Sequence, residues 1–237
     1  MANELPKNFE EFADARRVGF LKMKEAKDAG HKVCGMFCQY TPAEIIHAAG
    51  LKQVALCGRS HLPIKTAETV LPANLCPLIK SSYGFALTDK CPYTYFCDFI
   101  VGETTCDGKK KMFELLNDIK ETYVLHLPQS QQRAYAKDIW YEEIKLLKAK
   151  LEEKYGIKIT DEKLREAARK RNEMRKYMCE LYSLQGTVPP ALKSTEVMAT
   201  LAQGMFNFGV DAQTASYKAK VEAVKAAIER RKQFYQD

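Results

Sequence analysis

The amino-acid sequence predicts an α/β fold, in which a mainly parallel sheet with flanking helices is followed by a helical subdomain. In the first half of the chain, short apolar runs typical of buried strands alternate with segments of helical spacing. After Gln129 the apolar runs stop and only helical spacing continues. We therefore expect an α/β lobe over residues 1–128 and a helical subdomain over residues 129–237.

The elements of the α/β lobe are bounded by glycine and proline. Residues 8–29 form an amphipathic pattern that predicts a helix, with Asn8 as its N-cap and Gly30 as its C-terminal stop. Buried strands are predicted over residues 32–38, 53–57, 99–101 and 122–127. Further helices are predicted over residues 43–49, 64–87 (interrupted at Pro72 and Pro77) and 106–118.

The second part of the chain has helical spacing interrupted at Gly156, at residues 186–190 and at Gly209. These interruptions contain glycine or proline, which end helices. The pattern therefore predicts a subdomain of about four helices. They cover residues 131–155, 161–185, 194–207 and 211–235.

The net charge is +7, from 37 basic and 30 acidic residues. The two signs are interleaved along the helical segments, for example over residues 148–154, which is typical of solvated helix faces. A nucleic-acid-binding surface would show a basic stripe with aromatic residues or a reading motif, and the sequence shows neither. No apolar stretch has the roughly 18 residues of a membrane span, and the start lacks the features of a secretion signal. We expect a cytoplasmic protein with no nucleic-acid or membrane partner.

Cysteine is the residue type that points to chemistry. Seven of the eight cysteines fall between Cys34 and Cys106, and in a reducing compartment such a set more often ligates metal or performs catalysis than forms disulfides. Cys38 closes the first predicted strand, and Cys106 follows the third at the start of a helix. Loops at the carboxyl ends of parallel strands converge on one crevice, so these thiols can meet there with Cys76 and Cys91. The helix N-terminus at Cys106 would stabilise a thiolate or an anionic cluster.

The spacing alone leaves four interpretations of these cysteines open: an iron–sulfur cluster, unliganded core thiols, a zinc site and a catalytic thiol. Zinc sites usually show two closely spaced cysteine pairs, whereas only Cys34 and Cys38 could form such a pair here. Iron–sulfur clusters accept ligands from scattered loops. Cys34, Cys57 and Cys179 are best explained as packing residues, because free cysteine is among the most buried residue types. The chain has no glycine-rich phosphate-binding motif, so it is not expected to bind a dinucleotide or to hydrolyse ATP itself.

Four segments resemble the 2-hydroxyacyl-CoA dehydratase / benzoyl-CoA reductase superfamily, of the component D type. The segments are Cys38–Gly50 (CQYTPAEIIHAAG), Leu71–Gly84 (LPANLCPLIKSSYG), Asp89–Tyr93 (DKCPY) and Val101–Met112 (VGETTCDGKKKM). The last two, together with the Ile79–Tyr83 stretch, are similar in particular to the double-cubane-cluster protein branch. The resemblance spans essentially the whole chain, and its motifs are long and specific.

The resemblance implies two similar α/β lobes with an iron–sulfur cluster in the cleft between them, of which this chain would be the amino-terminal lobe. By motif position, Cys76 and Cys106 would be the first-lobe ligands, and Cys38 and Cys91 would be further ligands in the larger cluster. The implied cofactor is a cubane 4Fe–4S or a double-cubane cluster. An ATP-hydrolysing iron–sulfur activator protein would dock and inject electrons one at a time, and the protein would assemble as a dimer.

The implied activity is that of the electron-accepting component of a reductase or a 2-hydroxyacyl-CoA dehydratase. Dehydratases of the family use the electron to form a ketyl radical of the acyl-CoA and to expel water, and the double-cubane branch reduces small molecules. A second α/β lobe supplies the remaining ligands in the family, and this sequence stops at Asp237. We expect a truncated chain rather than one whose site a separate chain completes. The alternative to the electron-accepting function is a truncated, non-catalytic half-site or scaffold fragment. The isolated chain is expected to be inactive and to bind no stable cluster unless the missing lobe or a partner chain completes the site.

Overall fold

A four-stranded parallel sheet lies at the centre of the first part of the chain. The computed structural model describes residues 4–204 and 209–234. The strands are β1 (Val33–Met36), β2 (Lys52–Ala55), β3 (Phe99–Glu103) and β4 (Thr122–Leu125). Their order across the sheet is β2-β1-β3-β4, so the chain passes from β2 over β1 to reach β3. The sheet confirms the predicted α/β class and its parallel character.

The central strands, β1 and β3, carry most of the buried apolar side chains of the sheet. All five residues of β3 are buried, and Val33, Phe99 and Ile100 are fully inaccessible to solvent. A strand covered on both faces needs apolar residues at successive positions rather than at alternate ones. The short apolar runs of the sequence have this character, and every observed strand end lies within two residues of its predicted position.

Helices flank the strands in this part of the chain. They are α1 (Asp14–Asp28), α2 (Ala43–Ala48), α3 (Ile64–Ala67), α4 (Pro77–Thr88), α5 (Pro92–Phe96), α6 (Asp107–Asn117) and α7 (Ala136–Tyr155). Gly30 and Gly50, with φ of 81° and 78°, end the helices before them as predicted. The sequence does not predict α5, a five-residue helix that begins at Pro92.

The first helix begins later than the sequence predicts. A 3-10 turn, Phe9–Glu11, comes first, and extended backbone at Phe12 (φ −86°, ψ 143°) separates it from α1. The ring of Phe12 turns into the core and stacks on Phe20 with 5.1 Å between ring centroids, which accounts for the break. Asn8 caps the short turn and Ala13 is the N-cap of α1, so the prediction of Asn8 as the cap of the long helix is wrong.

The chain divides between Ile159 and Thr160 into two compact units. Helix α7 lies in the first unit, so this division comes later in the chain than the change of sequence pattern at residue 129. The second unit contains α8 (Asp161–Ser183), α9 (Ser194–Gly204) and α10 (Val210–Phe234). These helices confirm the predicted helical segments, of which residues 205–208 and 235 lie outside the described residues.

The second unit has an apolar core of its own. Leu181, Val197, Val221 and Val224 bring α8, α9 and α10 together. The side chain of Thr160 accepts a hydrogen bond from a backbone N–H in the first turn of α8 and so caps that helix. Across both described ranges, no helix combines the length and the apolar character that a membrane span requires.

Candidate functional site

The carboxyl edge of the sheet gathers most of the candidate residues. The strand order reverses between β1 and β3, because β2 lies on one side of this pair and β4 on the other. Ligands of parallel sheets bind outside the carboxyl ends of the strands at such a point. Cys38 follows β1 and Cys106 follows β3, and Met36 of β1 pairs in register with Val101 of β3. The structure thus places these two cysteines at the same edge of the sheet.

Cys38 has a left-handed backbone, with φ of 62°, which costs a residue with a side chain roughly 1–2 kcal/mol. The carboxylate of Glu103, the last residue of β3, holds this turn in place. Its Oε1 atom accepts hydrogen bonds from the backbone N–H groups of Gln39 (2.8 Å) and Tyr40 (2.9 Å). Glu103 is fully buried, and burial raises the pKa of its carboxyl, while the two hydrogen bonds and the charge of Lys109 act in the opposite direction.

Lys109, near the start of α6, is the cation of the site. Its ammonium group donates a hydrogen bond to Cys38 Sγ, and Thr105 Oγ1 lies 3.7 Å from the same sulfur. Burial by itself would lower the pKa of Lys109, but the contact with Cys38 and the charges of Cys38, Cys57 and Cys106 raise it. Lys109 therefore contacts the thiol that follows β1 and experiences the charges of the thiols that follow β2 and β3.

Cys76 and Cys106 are both N-cap residues, Cys76 for α4 and Cys106 for α6, and both are exposed. The first turn of a helix offers backbone N–H groups and the positive end of the helix dipole, which stabilise a nearby anion. The two helices pack together close to these ends. A Cβ atom added to Gly108 would come within 2.8 Å of Ile79 Cδ1 and 3.0 Å of Leu75 Cδ1. The predicted position of Cys106 at a helix N-terminus is confirmed.

Cys91 lies towards the other end of the sheet. The twelve residues of α4 carry the chain about 18 Å away from Cys76, at a rise of ~1.5 Å per residue. Cys91 then caps α5, which leads directly into the start of β3. Burial, opposed by Lys120 and reinforced by Cys91, raises the pKa of the neighbouring Cys97 to about 12. The structure does not bring Cys91 into the group around Cys38, and its role as a further ligand stays a prediction.

The thiols at the carboxyl edge fit an iron–sulfur cluster in their chemistry. Thiolates are the ligands that such clusters require, and the surrounding lysine and helix ends are positive. Among residues 4–204 and 209–234, no three cysteine, histidine, aspartate or glutamate side chains lie close enough together to hold a metal ion. The described side chains therefore do not form a closed metal site by themselves.

Two residues of this edge are not among the sequence-based candidates. Cys57, assigned to packing from the sequence, is half-buried and follows β2, beside the strand that leads to Cys38. The signal that could identify it is the one used for Cys38, a cysteine just after an apolar strand of a parallel sheet. Glu103 could be identified as a carboxylate at the end of an apolar strand, because a buried charge requires hydrogen-bond partners.

A cavity of about 700 Å³ opens beside the Cys38 turn. Tyr40, which follows this turn, lines it, as do Thr104 and Thr105, which lead from β3 to α6. Lys137 and Trp140 of α7 also line it. A cavity of this size can admit a small organic molecule. The edge therefore combines thiols, a lysine and adjoining space.

Comparison with known proteins gives consistent matches. The chain matches the family model described as 2-hydroxyglutaryl-CoA dehydratase, D-component, over residues 38–236. It is 42% identical over 212 residues to the putative dehydratase subunit YjiM of Escherichia coli (strain K12), covering 90% of this chain and 55% of that protein. It is 29% identical over 177 residues to the (R)-phenyllactyl-CoA dehydratase beta subunit of Clostridium sporogenes, covering 73% and 46%. It is also 27% identical over 186 residues to one of the benzoyl-CoA reductase subunits of Thauera aromatica, covering 77% and 47%.

The matches cover a larger share of this chain than of its relatives. The chain spans about half the length of the curated relatives it matches. The family model, by contrast, covers most of the chain and includes Cys38, Cys76, Cys91 and Cys106. The chain therefore belongs to the 2-hydroxyglutaryl-CoA dehydratase D-component family.

Proposed function

We propose that this chain is the iron–sulfur, electron-accepting component of an ATP-activator-dependent 2-hydroxyacyl-CoA dehydratase or reductase. The observation that carries the proposal is the placement of Cys38 after β1 and Cys106 after β3, where the strand order reverses, with Lys109 in contact with Cys38 Sγ. Membership of the D-component family and relatives named as dehydratase and reductase subunits support the class of reaction.

In this proposal, Cys76 and Cys106 are cluster ligands and Cys38 is a further one. A cluster bound there supplies low-potential, one-electron reduction. The starts of α4 and α6 place backbone N–H groups and two positive dipole ends beside the ligating thiolates. Lys109 adds a full positive charge in contact with Cys38. These groups offset part of the negative charge of the site, and so they tune how easily it accepts an electron.

The cavity beside the Cys38 turn is the proposed approach for the substrate. A molecule in it would touch both the loop after β1, through Tyr40, and the loop after β3, through Thr104 and Thr105. Trp140 offers an aromatic face to a flat or apolar group, and Lys137 offers a cation to an acidic one. The acyl part of a thioester substrate would meet these groups next to the thiols.

Further protein is proposed to complete the ligand set, because the described side chains do not close a metal site. A second α/β lobe, in the same chain or in a partner, would supply the remaining cysteines. The proposed electron donor is an ATP-hydrolysing activator protein with its own iron–sulfur cluster, since this sequence carries no phosphate-binding motif. The working assembly is proposed to be a dimer.

The test is reconstitution of the chain together with the lobe or partner chain that completes the site, without oxygen and with ferrous iron and sulfide, followed by measurement of iron, acid-labile sulfide and the visible spectrum. The protein is expected to be brown, to bleach on reduction and to hold iron and sulfide in matching amounts. Cys76→Ala and Cys106→Ala are expected to lose iron, and Cys179→Ala, an exposed position on α8, is expected to keep it. Equal iron in all three variants would contradict the ligand roles. A folded protein that takes up no iron, even with a completing lobe supplied, would favour a scaffold instead.

Cys91 is tested in the same series. Loss of iron in Cys91→Ala would support the ligand set implied by the motifs. Retention of iron in Cys91→Ala, with loss in Cys38→Ala, would instead support the grouping around Lys109.

A further inference from the structure

We propose that Cys57 is a metal-ligating thiol of this site, paired with Cys38 across neighbouring strands. Cys57 lies outside the four segments that carry the family resemblance. The identity of the metal, a cluster iron, rests on the proposed function. The pairing of the two thiols rests on the sheet alone.

The register between β1 and β2 places Cys38 and Cys57 at the same edge of the sheet. Met36 of β1 pairs with Ala55 of β2, and the N–H of Leu56 donates to the carbonyl oxygen of Met36 at 3.0 Å, so the pairing extends beyond the end of β2. Cys38 and Cys57 each follow this last pair by two residues, so the two cysteines leave neighbouring strands at the same edge of the sheet. Neighbouring strands lie about 4.8 Å apart, a separation that allows two side chains to reach one metal.

The positive charge of Lys109 acts on both thiols. Lys109 contacts Cys38 directly, and Cys57 lies near enough for its charge to act on the same ammonium group. Metal ligation by cysteine requires the thiolate, and a neighbouring cation stabilises that form. One lysine therefore serves as a common counter-charge for the pair.

The loop that follows Cys57 is fixed on helix α4. The N–H of Gly58 donates to Ser82 Oγ at 3.0 Å, and the N–H of Ser60 donates to Ser81 Oγ at 3.2 Å. The hydroxyl of Ser81 donates back to the carbonyl oxygen of Ser60 at 2.6 Å. A Cβ atom on Gly58 would lie 2.7 Å from the backbone of Ser81 and Ser82, so the loop lies directly on the helix that Cys76 caps.

A packing role, the simplest alternative for Cys57, fits less well. The clearly structural cysteines of this unit, Cys34 and Cys97, are 0% and 1% exposed. Cys57 is half-buried, which is the accessibility that ligation of an incoming metal needs. Its position at the end of a strand, next to a thiol and a lysine, is shared with Cys38 and not with the core cysteines.

The experiment uses phenylarsine oxide, a trivalent arsenical that binds tightly where two thiols lie close together. Its arsenic forms two As–S bonds, and the two thiol protons leave with the oxide oxygen as water. The reduced full chain is treated without oxygen and then alkylated, and mass spectrometry of its peptides locates the protected cysteines. We expect joint protection of Cys38 and Cys57, lost in Cys57→Ala and in Cys57→Ser but retained in Cys179→Ala. Circular dichroism checks that each variant is folded.

Free alkylation of Cys57 in the arsenical-bound chain would overturn the pairing, as would undiminished protection of Cys38 in Cys57→Ala. Either result would leave the cluster proposal standing. Iron uptake is the second measurement that distinguishes the pairing of the two thiols from the proposed iron–sulfur cluster. Joint protection in a chain that takes up no iron even with the completing lobe supplied would support the dithiol pair and overturn the cluster as its occupant. A loss of iron in Cys57→Ala, with that lobe present, would support both.

Discussion

The two ends of one parallel sheet carry cysteines in opposite surroundings. At the amino end, Cys34 and Cys97 are almost completely buried. Burial, opposed by Lys120, raises the pKa of Cys97 to about 12, and burial together with Cys97 and Asp98 raises the pKa of Cys34 well above its usual value. These thiols therefore stay protonated and pack as small apolar groups.

At the carboxyl end, the thiols are accessible and face a cation. Cys38 and Cys57 are half-buried and Cys106 is exposed, and all three interact with Lys109. The amino end also holds a buried lysine, Lys27, but a carboxylate neutralises it there. Both ends of the sheet hold cysteines and a lysine, and what differs is the partner of that lysine. At the carboxyl end Lys109 contacts a thiol, whereas at the amino end Lys27 is paired with a carboxylate and the cysteines serve only as packing residues.

The largest contrast is expected in thiol reactivity. A thiol with a pKa near 12 is only about one part in 10⁴ thiolate at pH 8, so Cys97 should react with N-ethylmaleimide at least about a thousandfold more slowly than Cys106. Because its pKa is raised, the thiolate fraction of Cys97 should grow about tenfold for each pH unit between 7 and 9. Peptide mapping after timed labelling measures both rates. Unfolding in urea is the control and should equalise them, whereas equal rates in the folded chain would remove the contrast.

The next contrast concerns the buried ion pair at the amino end. Lys27 Nζ lies 2.6 Å from Asp98 Oδ2, with only 4% and 1% of the two side chains exposed. Lys27→Met would leave the Asp98 charge buried without its partner, which should lower the free energy of unfolding by about 3–5 kcal/mol. Lys24→Met, on the same helix, breaks the more exposed pair with Asp28 and should cost less than about 0.5 kcal/mol. Urea unfolding of both variants gives the two values, and similar losses would show that the pair is not structural.

A smaller effect is expected at the carboxyl end. Glu103→Leu would leave the N–H groups of Gln39 and Tyr40 without their acceptor. Because both residues are exposed, water can partly replace the carboxylate, and the loss should be about 1–3 kcal/mol in total. Glu103→Gln keeps an oxygen in the same place and should lose about 1 kcal/mol or less. Urea unfolding measures stability, and the labelling rate of Cys38 reports whether its turn has moved. A stable Glu103→Leu variant with unchanged labelling would show that the turn does not need this carboxylate.

Much of the fold could be predicted because its signals are local. Gly30, Gly50 and Gly156 all adopt positive φ and end helices where the sequence expects them to end. Cys106 could be placed at a helix N-terminus because it stands between a short apolar strand and an amphipathic helix. These predictions need only a few neighbouring residues.

The position of Cys91 could not be predicted in the same way, because it depends on which end of the sheet a loop occupies. A cysteine just after a strand lies at the carboxyl edge, which holds for Cys57 as well as for Cys38. A cysteine reached through a full helix and standing just before a strand lies towards the amino edge. Cys91 lies towards the amino edge because α4 is long and because the short α5, which the sequence does not predict, leads from it into β3.

At position 38 the backbone is left-handed, so glycine would be the more stable residue there, whereas the proposed chemistry requires cysteine. Glycine adopts such backbone without strain, so Cys38→Gly should raise the free energy of unfolding by up to about 1 kcal/mol while removing the thiol. Cys57→Gly, where φ is not positive, should instead lower it by about 0.5–1 kcal/mol, and thermal unfolding of the two variants compares them. A lineage selected only for heat resistance would therefore be expected to lose the cysteine at position 38 early, and its persistence in a descendant would mark selection for the reaction.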